Sequence, residues 1–275
     1  MDLNTVTEVR DARERVPWRP GDAWLAGGTF LFSEPQPHVR RLVDLGRMGW
    51  QPITRLPDGA LETAATCTIA ELSRYARALD APAAPLVEQC CRAFLASFKI
   101  WHEATVGGNL CTALPAGPMI ALTAALDGSC LLRSQAGILR RVPVTEFVTG
   151  VGEQDLGEGE LLRSVTLPAR ALHRRTAFRQ ASLSGLGRSG ALIIATLDPA
   201  DATFTLTVTA STVRPVRLWF PALPDAPALR DAIAGAVPDG DWYDDPHGLP
   251  AWRRHMTFRL AEEARRELDE RTGHP

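Results

Sequence analysis

The sequence predicts an α+β protein in which a mixed region of strands and helices precedes a smaller α+β domain. Short strand-like segments alternate with helical patterns through the first part of the chain. Residues 203–210 then alternate between polar and apolar types without a break. Near the C-terminus, apolar residues recur at four-residue steps: Trp252, Met256, Leu260, Ala264 and Leu268. With 275 residues and 45% hydrophobic content, the chain can form one large domain or two ordinary ones.

The first block of the chain contains two predicted strands. Residues 23–26 form the first strand, which runs into the pair Gly27-Gly28, and residues 41–45 form the second. Residues 52–59 are rich in turn formers, so they predict a connection between blocks.

The second block contains three predicted helices. It opens at residues 61–65, after which Thr68 and Glu71 fit a capping box at the start of a helix. The spacing of apolar residues predicts a second helix from Pro85 to Phe98 and a third helix after Pro118.

The third block begins after Pro168 and predicts the small α+β domain. Its clearest strand is the alternating segment 203–210. A proline-rich connection at 215–227 precedes a short helix near 229–233. A long helix is predicted from about Pro250, with Gly273 where a helix stop belongs.

Charge and composition exclude several classes of function. The formal net charge is −2 and no long run of Lys or Arg occurs, so we expect no nucleic-acid partner and no membrane-surface patch. No apolar segment approaches the roughly 20 residues of a spanning helix, so we expect no membrane insertion. The first residues lack the features of a signal peptide, and we therefore expect a soluble, cytoplasmic protein.

Cysteine and histidine spacing gives no sign of a metal site. The five cysteines include no Cys-x-x-Cys pair, and the adjacent Cys90 and Cys91 point about 100° apart on a predicted helix. The six histidines include no His-x-x-x-His pair. Redox chemistry in this chain would therefore require an organic cofactor.

Two glycine pairs are the candidate functional motifs. Gly27-Gly28 follows a predicted strand, and Gly107-Gly108 lies between Thr105 and Asn109. Glycines allow successive backbone amides to approach one anion, so two such turns can bind a diphosphate without Lys or Arg. Neither pair matches Gly-x-Gly-x-x-Gly or is expected to open directly into a helix, which disfavours a Rossmann site. A single glycine pair is more commonly only a turn.

The segments around both pairs resemble one family over nearly the whole chain. Residues 27–29 and 105–113 are similar to the two FAD-diphosphate loops of the molybdopterin-dehydrogenase flavin domain, found in xanthine dehydrogenase and in the medium subunit of aerobic carbon monoxide dehydrogenase. Similar segments also occur at 63–72, 147–168, 178–182 and 252–256.

This resemblance implies a two-lobed FAD-binding domain of the vanillyl-alcohol-oxidase (PCMH) type. The domain would span residues 1–168, with lobes of about 1–57 and 58–168, and a small domain like the C-terminal domain of the carbon monoxide dehydrogenase flavoprotein would span 172–275. The diphosphate would contact Ala26, Gly27, Gly28, Thr29, Phe30, Leu31, Thr105, Gly107, Gly108 and Asn109. Cys111, Thr112 and Leu162 would lie along the flavin or ribitol. Arg179 would lie near the polar edge of the ring, where a cation stabilises the reduced flavin.

Three departures from the family pattern affect this expectation. Phe30 replaces a polar residue after the threonine of the first loop. Pro118 replaces an aspartate that contacts the adenosine ribose. Residues 183–188 replace an acidic stretch after the basic strand. The first loop contains no histidine, so the resemblance implies non-covalent FAD.

The resemblance implies an oxidoreductase subunit that transfers electrons within a heterotrimer. A large subunit would carry molybdopterin, and a small subunit would pass electrons from [2Fe-2S] clusters to FAD. An external acceptor (NAD, a quinone, oxygen or another carrier) would receive them. The sequence shows no acid–base pair and no nucleophile motif, so no catalytic residue is assigned. Two alternatives stay open: a stand-alone FAD-dependent reductase or oxidase, with Cys111, Ser182 or Ser184 as proton donor, and a scaffold subunit without flavin.

Overall fold

A computed structural model describes residues 3–14 and 16–270. Its first layer is a small parallel sheet with strand order β1-β3-β2, made by β1 (Glu8–Asp11), β2 (Asp22–Leu25) and β3 (Arg41–Asp44). Because β3 lies in the centre, Leu42 and Val43 are buried on its two faces. The predicted strands at 23–26 and 41–45 are confirmed to within a residue or two.

The second layer is a five-stranded antiparallel sheet with order β4-β5-β10-β6-β7. Its strands, together with the β8-β9 hairpin, are β4 (Ile53–Arg55), β5 (Leu61–Ala64), β6 (Ser129–Arg133), β7 (Leu139–Pro143), β8 (Val148–Gly150), β9 (Glu153–Gln154) and β10 (Leu161–Leu167). Strand β4 lies within residues 52–59, where the sequence predicted only a connection. That prediction was wrong because three residues paired with β5 are too few to show alternation.

Six helices lie in this part of the chain: α1 (Ile69–Ala76), α2 (Ala84–Ala93), α3 (Phe98–Glu103), α4 (Val106–Thr112), α5 (Pro118–Ala125) and α6 (Val144–Phe147). Two of them, α4 and α6, contact strands of the sheet. Every residue of α5 is buried, because one side faces α2 and α4 and the other faces strands of the C-terminal sheet. Helix α5 therefore joins the two parts of the molecule in one core.

The C-terminal part is a four-stranded antiparallel meander covered by two helices. Its elements are α7 (Ala169–Leu172), β11 (Arg175–Ala181), β12 (Ala191–Leu197), β13 (Phe204–Thr209), β14 (Val216–Phe220), α8 (Ala226–Ala236) and α9 (Pro250–Glu270). The second core lies between one face of this sheet and α8 and α9. The predicted α+β class is confirmed, whereas the domain boundaries proposed above stay predictions.

Several predicted elements differ in extent. The helix predicted from 85 to 98 ends at Ala93, and Ser97 begins a new helix by accepting a hydrogen bond from the amide of Ile100. Strand β14 lies within the connection predicted at 215–227, and α8 is longer than the predicted 229–233. The long C-terminal helix is confirmed from Pro250, while its predicted stop at Gly273 lies outside the described residues.

The predicted capping box at the start of α1 is confirmed and gives a stability test. The Thr68 hydroxyl accepts from the Glu71 amide at 3.2 Å, and the Glu71 carboxylate accepts from the Thr68 amide at 2.8 Å. We expect Thr68→Ala to lower the free energy of unfolding by about 0.5–2 kcal/mol, measured by urea denaturation. Glu71→Gln keeps an acceptor for the Thr68 amide and is expected to cost less. Equal losses would contradict this account of the cap.

Candidate functional site

The turn after β2 presents a row of unpaired backbone amides. Among the described residues, no acceptor meets the N–H groups of residues 27–31. All of these residues are at least partly exposed. Successive N–H groups that are free in one turn form a concave site for an anion. The turn therefore offers the kind of backbone donors that a phosphate group requires.

Glycines are needed in this turn because the backbone passes very close to a neighbouring segment. A Cβ added to Gly27 would lie 1.7 Å from the carbonyl oxygen of Glu103, the last residue of α3. Gly28 has φ +69°, and a Cβ there would lie 2.4 Å from the Phe32 ring. The first glycine turn thus contacts the chain two residues before Thr105. The structure brings the two predicted glycine segments together.

The second glycine pair is not a loop but the first turn of α4, contrary to the expectation from sequence. Thr105 is the N-cap, and its hydroxyl accepts from the Gly108 amide at 3.0 Å. The Gly107 amide donates to the carbonyl of Ala65, and a Cβ on Gly107 would lie 2.4 Å from the Cβ of Ala65. Gly107 therefore allows α4 to pack closely on the chain after β5. The amides of this pair are not free for a ligand.

Two residues of the second segment keep free donors. The Thr105 amide meets no acceptor among the described residues, and its hydroxyl proton is not used by the cap bond. The side-chain oxygen of Asn109 accepts from the Met119 amide at 3.0 Å, so the Asn109 carboxamide is fixed against the start of α5 with its NH2 group unpaired. Pro118, a departure from the family pattern, is the first residue of α5.

The remaining residues predicted in the first loop are at least partly exposed. Ala26, Thr29 and Leu31 are partly exposed, and Phe30 is 41% exposed. The carbonyl of Phe30 accepts from the Ser33 amide at 2.9 Å, which closes the turn. The aromatic side chain of Phe30 thus lies at the surface beside the turn.

The residues predicted along the flavin lie on α4 and β10, which pack together. Leu162 is 3% exposed and lies in the same hydrophobic cluster against which Cys111 packs. The Thr112 hydroxyl donates to the carbonyl of Gly108 at 2.7 Å. Burial raises the pKa of the Cys111 thiol to about 12, so this group is a poor proton donor at neutral pH.

Arg179 lies on β11 in the C-terminal part and is paired there. Its guanidinium is 2.6 Å from the Glu267 carboxylate and 3.7 Å from that of Glu263, both on α9. It also lines a cavity of about 210 Å³ between α2, β11 and α9. In this arrangement two carboxylates offset its charge, and no described contact joins it to the glycine turns.

The sequence analysis did not predict a hydrogen bond between β2 and the residue that precedes β10. The indole N–H of Trp24 donates to the carbonyl of Glu160 at 3.1 Å, and the ring packs on Trp18 with centroids 4.7 Å apart. The Trp18 amide donates to the side chain of Gln135 at 3.1 Å. Strand β2 is thereby fixed to the residue that precedes β10. No local signal identifies this pair, since Trp24 and Glu160 are 136 residues apart.

Residues 3–14 and 16–270 contain neither a cluster of metal-ligating side chains nor a helix suited to a membrane. No group of three or more His, Cys, Asp or Glu side chains is placed to hold a metal ion. None of the described helices combines the length and the apolar character that crossing a membrane requires.

A match to the sequence model of a protein family identifies the family of this chain. Residues 3–170 match the sequence model of the FAD-binding domain in molybdopterin dehydrogenase. The chain belongs to this family. Because the match contains both glycine segments and β10, the turn with free amides and the residues of α4 all lie in an FAD-binding domain.

Related proteins agree with this assignment. The chain is 30% identical over 131 residues to xanthine dehydrogenase 1 and xanthine dehydrogenase 2 of Arabidopsis thaliana, covering 45% of this chain but only 10% of each relative. Its fold matches the Cu,Mo-CO dehydrogenase with a TM-score of 0.77 at 21% identity, covering 94% of this chain and 95% of the other. It also matches quinoline 2-oxidoreductase from Pseudomonas putida 86, with a TM-score of 0.73 at 20% identity over 97% and 99% of the two chains. These matches bear out the expected fold.

Proposed function

We propose that the chain binds FAD non-covalently and serves as the electron-transfer subunit of a molybdenum hydroxylase. The observation that carries the proposal is the row of free amides at residues 27–31, which adjoins the free amide of Thr105 within the family's FAD-binding domain. Charge-assisted hydrogen bonds from amides to phosphate are stronger than neutral ones. These donors can hold a diphosphate through the backbone.

We propose a division of roles among the residues of the site. Ala26 to Leu31 and Thr105 would hold the diphosphate through backbone donors and hydroxyl groups, and the Asn109 NH2 group would donate to the same ligand. Gly107 and Gly108 would act indirectly, because their amides are used within α4. Cys111, Thr112 and Leu162 would form the apolar wall that excludes water from the ring. Arg179 near the ring stays a prediction.

Bound FAD would supply both one-electron and two-electron redox chemistry. We propose that a small subunit with [2Fe-2S] clusters delivers the electrons, that a large subunit carries molybdopterin, and that the three subunits form a heterotrimer in the cytoplasm. An external acceptor would receive the electrons. The raised pKa of the Cys111 thiol and the bond from the Ser182 hydroxyl to the Ser184 carbonyl leave Cys111 and Ser182 poorly suited as proton donors of a stand-alone reductase.

Reconstitution with FAD tests the proposal. The purified chain should acquire a flavin absorbance spectrum that persists through gel filtration. In a complex with a cluster-containing small subunit, the flavin should be reduced when the oxidisable substrate of the complex is added, and removal of that subunit should prevent this. A colourless chain with added FAD would overturn the flavin assignment. Flavin reduction that does not depend on the small subunit would overturn the electron-transfer role.

Trp24 gives a prediction about how firmly the first turn is held. Trp24→Phe keeps the ring on Trp18 but removes the donor to the Glu160 carbonyl. This hydrogen bond holds the strand that leads into the turn and is worth about 0.5–1.5 kcal/mol. If that free energy is lost from FAD binding, the affinity falls roughly 2- to 12-fold. Equilibrium titration with FAD measures this. Trp219→Phe is the control, because Trp219 is 63% exposed and distant from this contact. Equal affinities of both variants would contradict the prediction.

A further inference from the structure

A second cavity, separate from the glycine turn, lies between α1 and α3. It has a volume of about 250 Å³ and is lined by Ala70, Ser73, Arg74, Arg77, Trp101 and His102. Ala70, Ser73 and Arg74 lie on one face of α1, because positions three or four apart are neighbours on a helix, and Arg77 follows as the C-cap. The small side chains of Ala70 and Ser73 leave space beneath the two arginines. Neither the glycine turn nor any residue proposed to hold FAD lines this cavity.

The lining of the cavity is basic and contains no carboxylate. Arg74 forms no ion pair among the described residues, and neither does His102. Arg77 contacts Glu88 at 3.4 Å, but that carboxylate is shared with Arg92 and accepts from the Ser73 hydroxyl at 2.7 Å. The Glu88 charge is therefore divided among three donors. Arg74 and His102 thus have no ion-pair partner among the described residues, and Arg77 shares its partner with Arg92, so the three side chains can donate to an anion at the mouth of the cavity.

Trp101 supplies a fixed aromatic wall. Its indole N–H donates to the Phe94 carbonyl at 3.0 Å, and its backbone amide donates to the Ser97 carbonyl at 3.1 Å. Both bonds orient the ring without using its face, and the residue remains partly exposed. A flat ligand ring can stack on such a face at little cost in side-chain entropy.

We propose that this cavity binds a small planar aromatic compound that carries a phosphate or carboxylate group. The ring stacks on Trp101, and the oxyanion is held by Arg74 and Arg77, whose planar guanidinium groups match the geometry of both anions. The cavity is smaller than the roughly 300–1,000 Å³ of a site for a drug-sized ligand. This volume suits one ring with its anionic group better than it suits a dinucleotide.

The cavity is close in the fold to the flavin domain's second segment. Thr68, the N-cap of α1, pairs with Thr105 in an isolated bridge, and His102 precedes Thr105 by three residues. Helices α1 and α3, which form the two walls of the cavity, therefore both lie next to this bridge, beside the proposed diphosphate site. The ligand occupies a position next to FAD but uses different side chains.

Titration of the FAD-saturated chain with phenyl phosphate and with benzoate tests the proposal, because bound FAD prevents either probe from entering the diphosphate site. We expect saturable binding by calorimetry, and the stronger of the two probes identifies the anion. Inorganic phosphate has the anion without the ring, and phenol has the ring without the anion. Each should bind at least about tenfold more weakly than the stronger of the two probes. Binding should weaken as ionic strength rises.

Variants of the lining residues test whether the probes bind in this cavity. The double variant Arg74→Ala/Arg77→Ala should weaken binding at least about tenfold, since both charge-assisted contacts are lost. Trp101→Leu should remove the preference for an aromatic probe. Arg92→Ala is the matched control, because Arg92 is 72% exposed, contacts the same Glu88 and does not line the cavity.

Two results would overturn the proposal: no saturable binding of either probe at about 10 mM, or binding that the double variant and the Arg92 control affect equally. If the chain takes up no FAD, the same titrations are run on the chain as purified. The variants then still separate this cavity from the glycine turn, so failure of the flavin assignment leaves the test intact.

Discussion

Gly27→Ala is expected to abolish high-affinity FAD binding, because the added methyl group has no space. Its Cβ would lie 1.7 Å from the Glu103 carbonyl oxygen and 2.6 Å from the carbonyl carbon, both of which are backbone atoms. The turn must therefore move away from the start of the Thr105 segment. Misaligning two charge-assisted bonds of about 1.5–3 kcal/mol each would weaken binding by more than about 100-fold. Flavin fluorescence quenching on titration with FAD measures the change.

The control for this prediction is a glycine in open space. A Cβ added to Gly185 meets nothing within 4 Å, so Gly185→Ala should bind FAD as the native chain does. Near-ultraviolet circular dichroism separates a displaced turn from a misfolded chain, because the two hydrophobic cores lie elsewhere. A folded Gly27→Ala variant with native FAD affinity would exclude the turn from the diphosphate site.

The glycine segments also show how far local sequence predicts a site. Their residue types indicated anion binding, and the structure brings the two segments into contact. What local pattern could not distinguish is which amides remain free. In the second segment the Ala65 carbonyl takes up the Gly107 amide, a contact between residues 42 positions apart. Thr105 three residues before Gly108 was an N-cap signal, but two glycines lower helix propensity and indicate a turn equally well.

Helices and strands are easiest to predict from sequence where one face is buried and the other is exposed. Helix α1, with its capping box, is such an element. Strand β13 was predicted from its alternating sequence, although all six of its residues are buried. Strand β12 could not be assigned in this way, because all seven of its residues are buried and the strand shows no period of two. The break between α2 and α3 was missed because the apolar spacing continues across it. Only Ser97, an N-cap residue, marks the restart.

Arg253→Met is expected to cause the largest loss of stability in the C-terminal part. Arg253 is 1% exposed, and its guanidinium donates to the carbonyls of Gly248 and Gly190, each at 2.8 Å. It also donates to the carbonyl of Ala210 and forms an ion pair with Asp245. One side chain on α9 thereby joins three loops at the end of the sheet. Its removal leaves three carbonyls without this donor and leaves the Asp245 carboxylate, which still accepts from the His247 amide, without its cationic partner.

Removing one partner of a buried ion pair typically costs about 3–5 kcal/mol, because the other charge remains without compensation. We therefore expect Arg253→Met to lower the free energy of unfolding by about that amount in urea denaturation without added FAD, since bound cofactor would add its own stabilisation. Arg254→Met is the matched control. Arg254 is the adjacent residue, exposed on the same helix, and its loss should change stability by no more than about 1 kcal/mol, the value of its exposed contact with the Phe258 ring at 5.7 Å.

A variant at Asp245 separates the ion pair from the carbonyl contacts. Asp245→Asn keeps an oxygen for the Arg253 guanidinium and removes the negative charge, so it should cost less than Arg253→Met. In the double variant the unpaired carboxylate is absent, and the combined loss should be smaller than the sum of the two single losses. Additive losses, or a cost of Arg253→Met no larger than that of Arg254→Met, would show that α9 is held to the sheet by its apolar contacts alone.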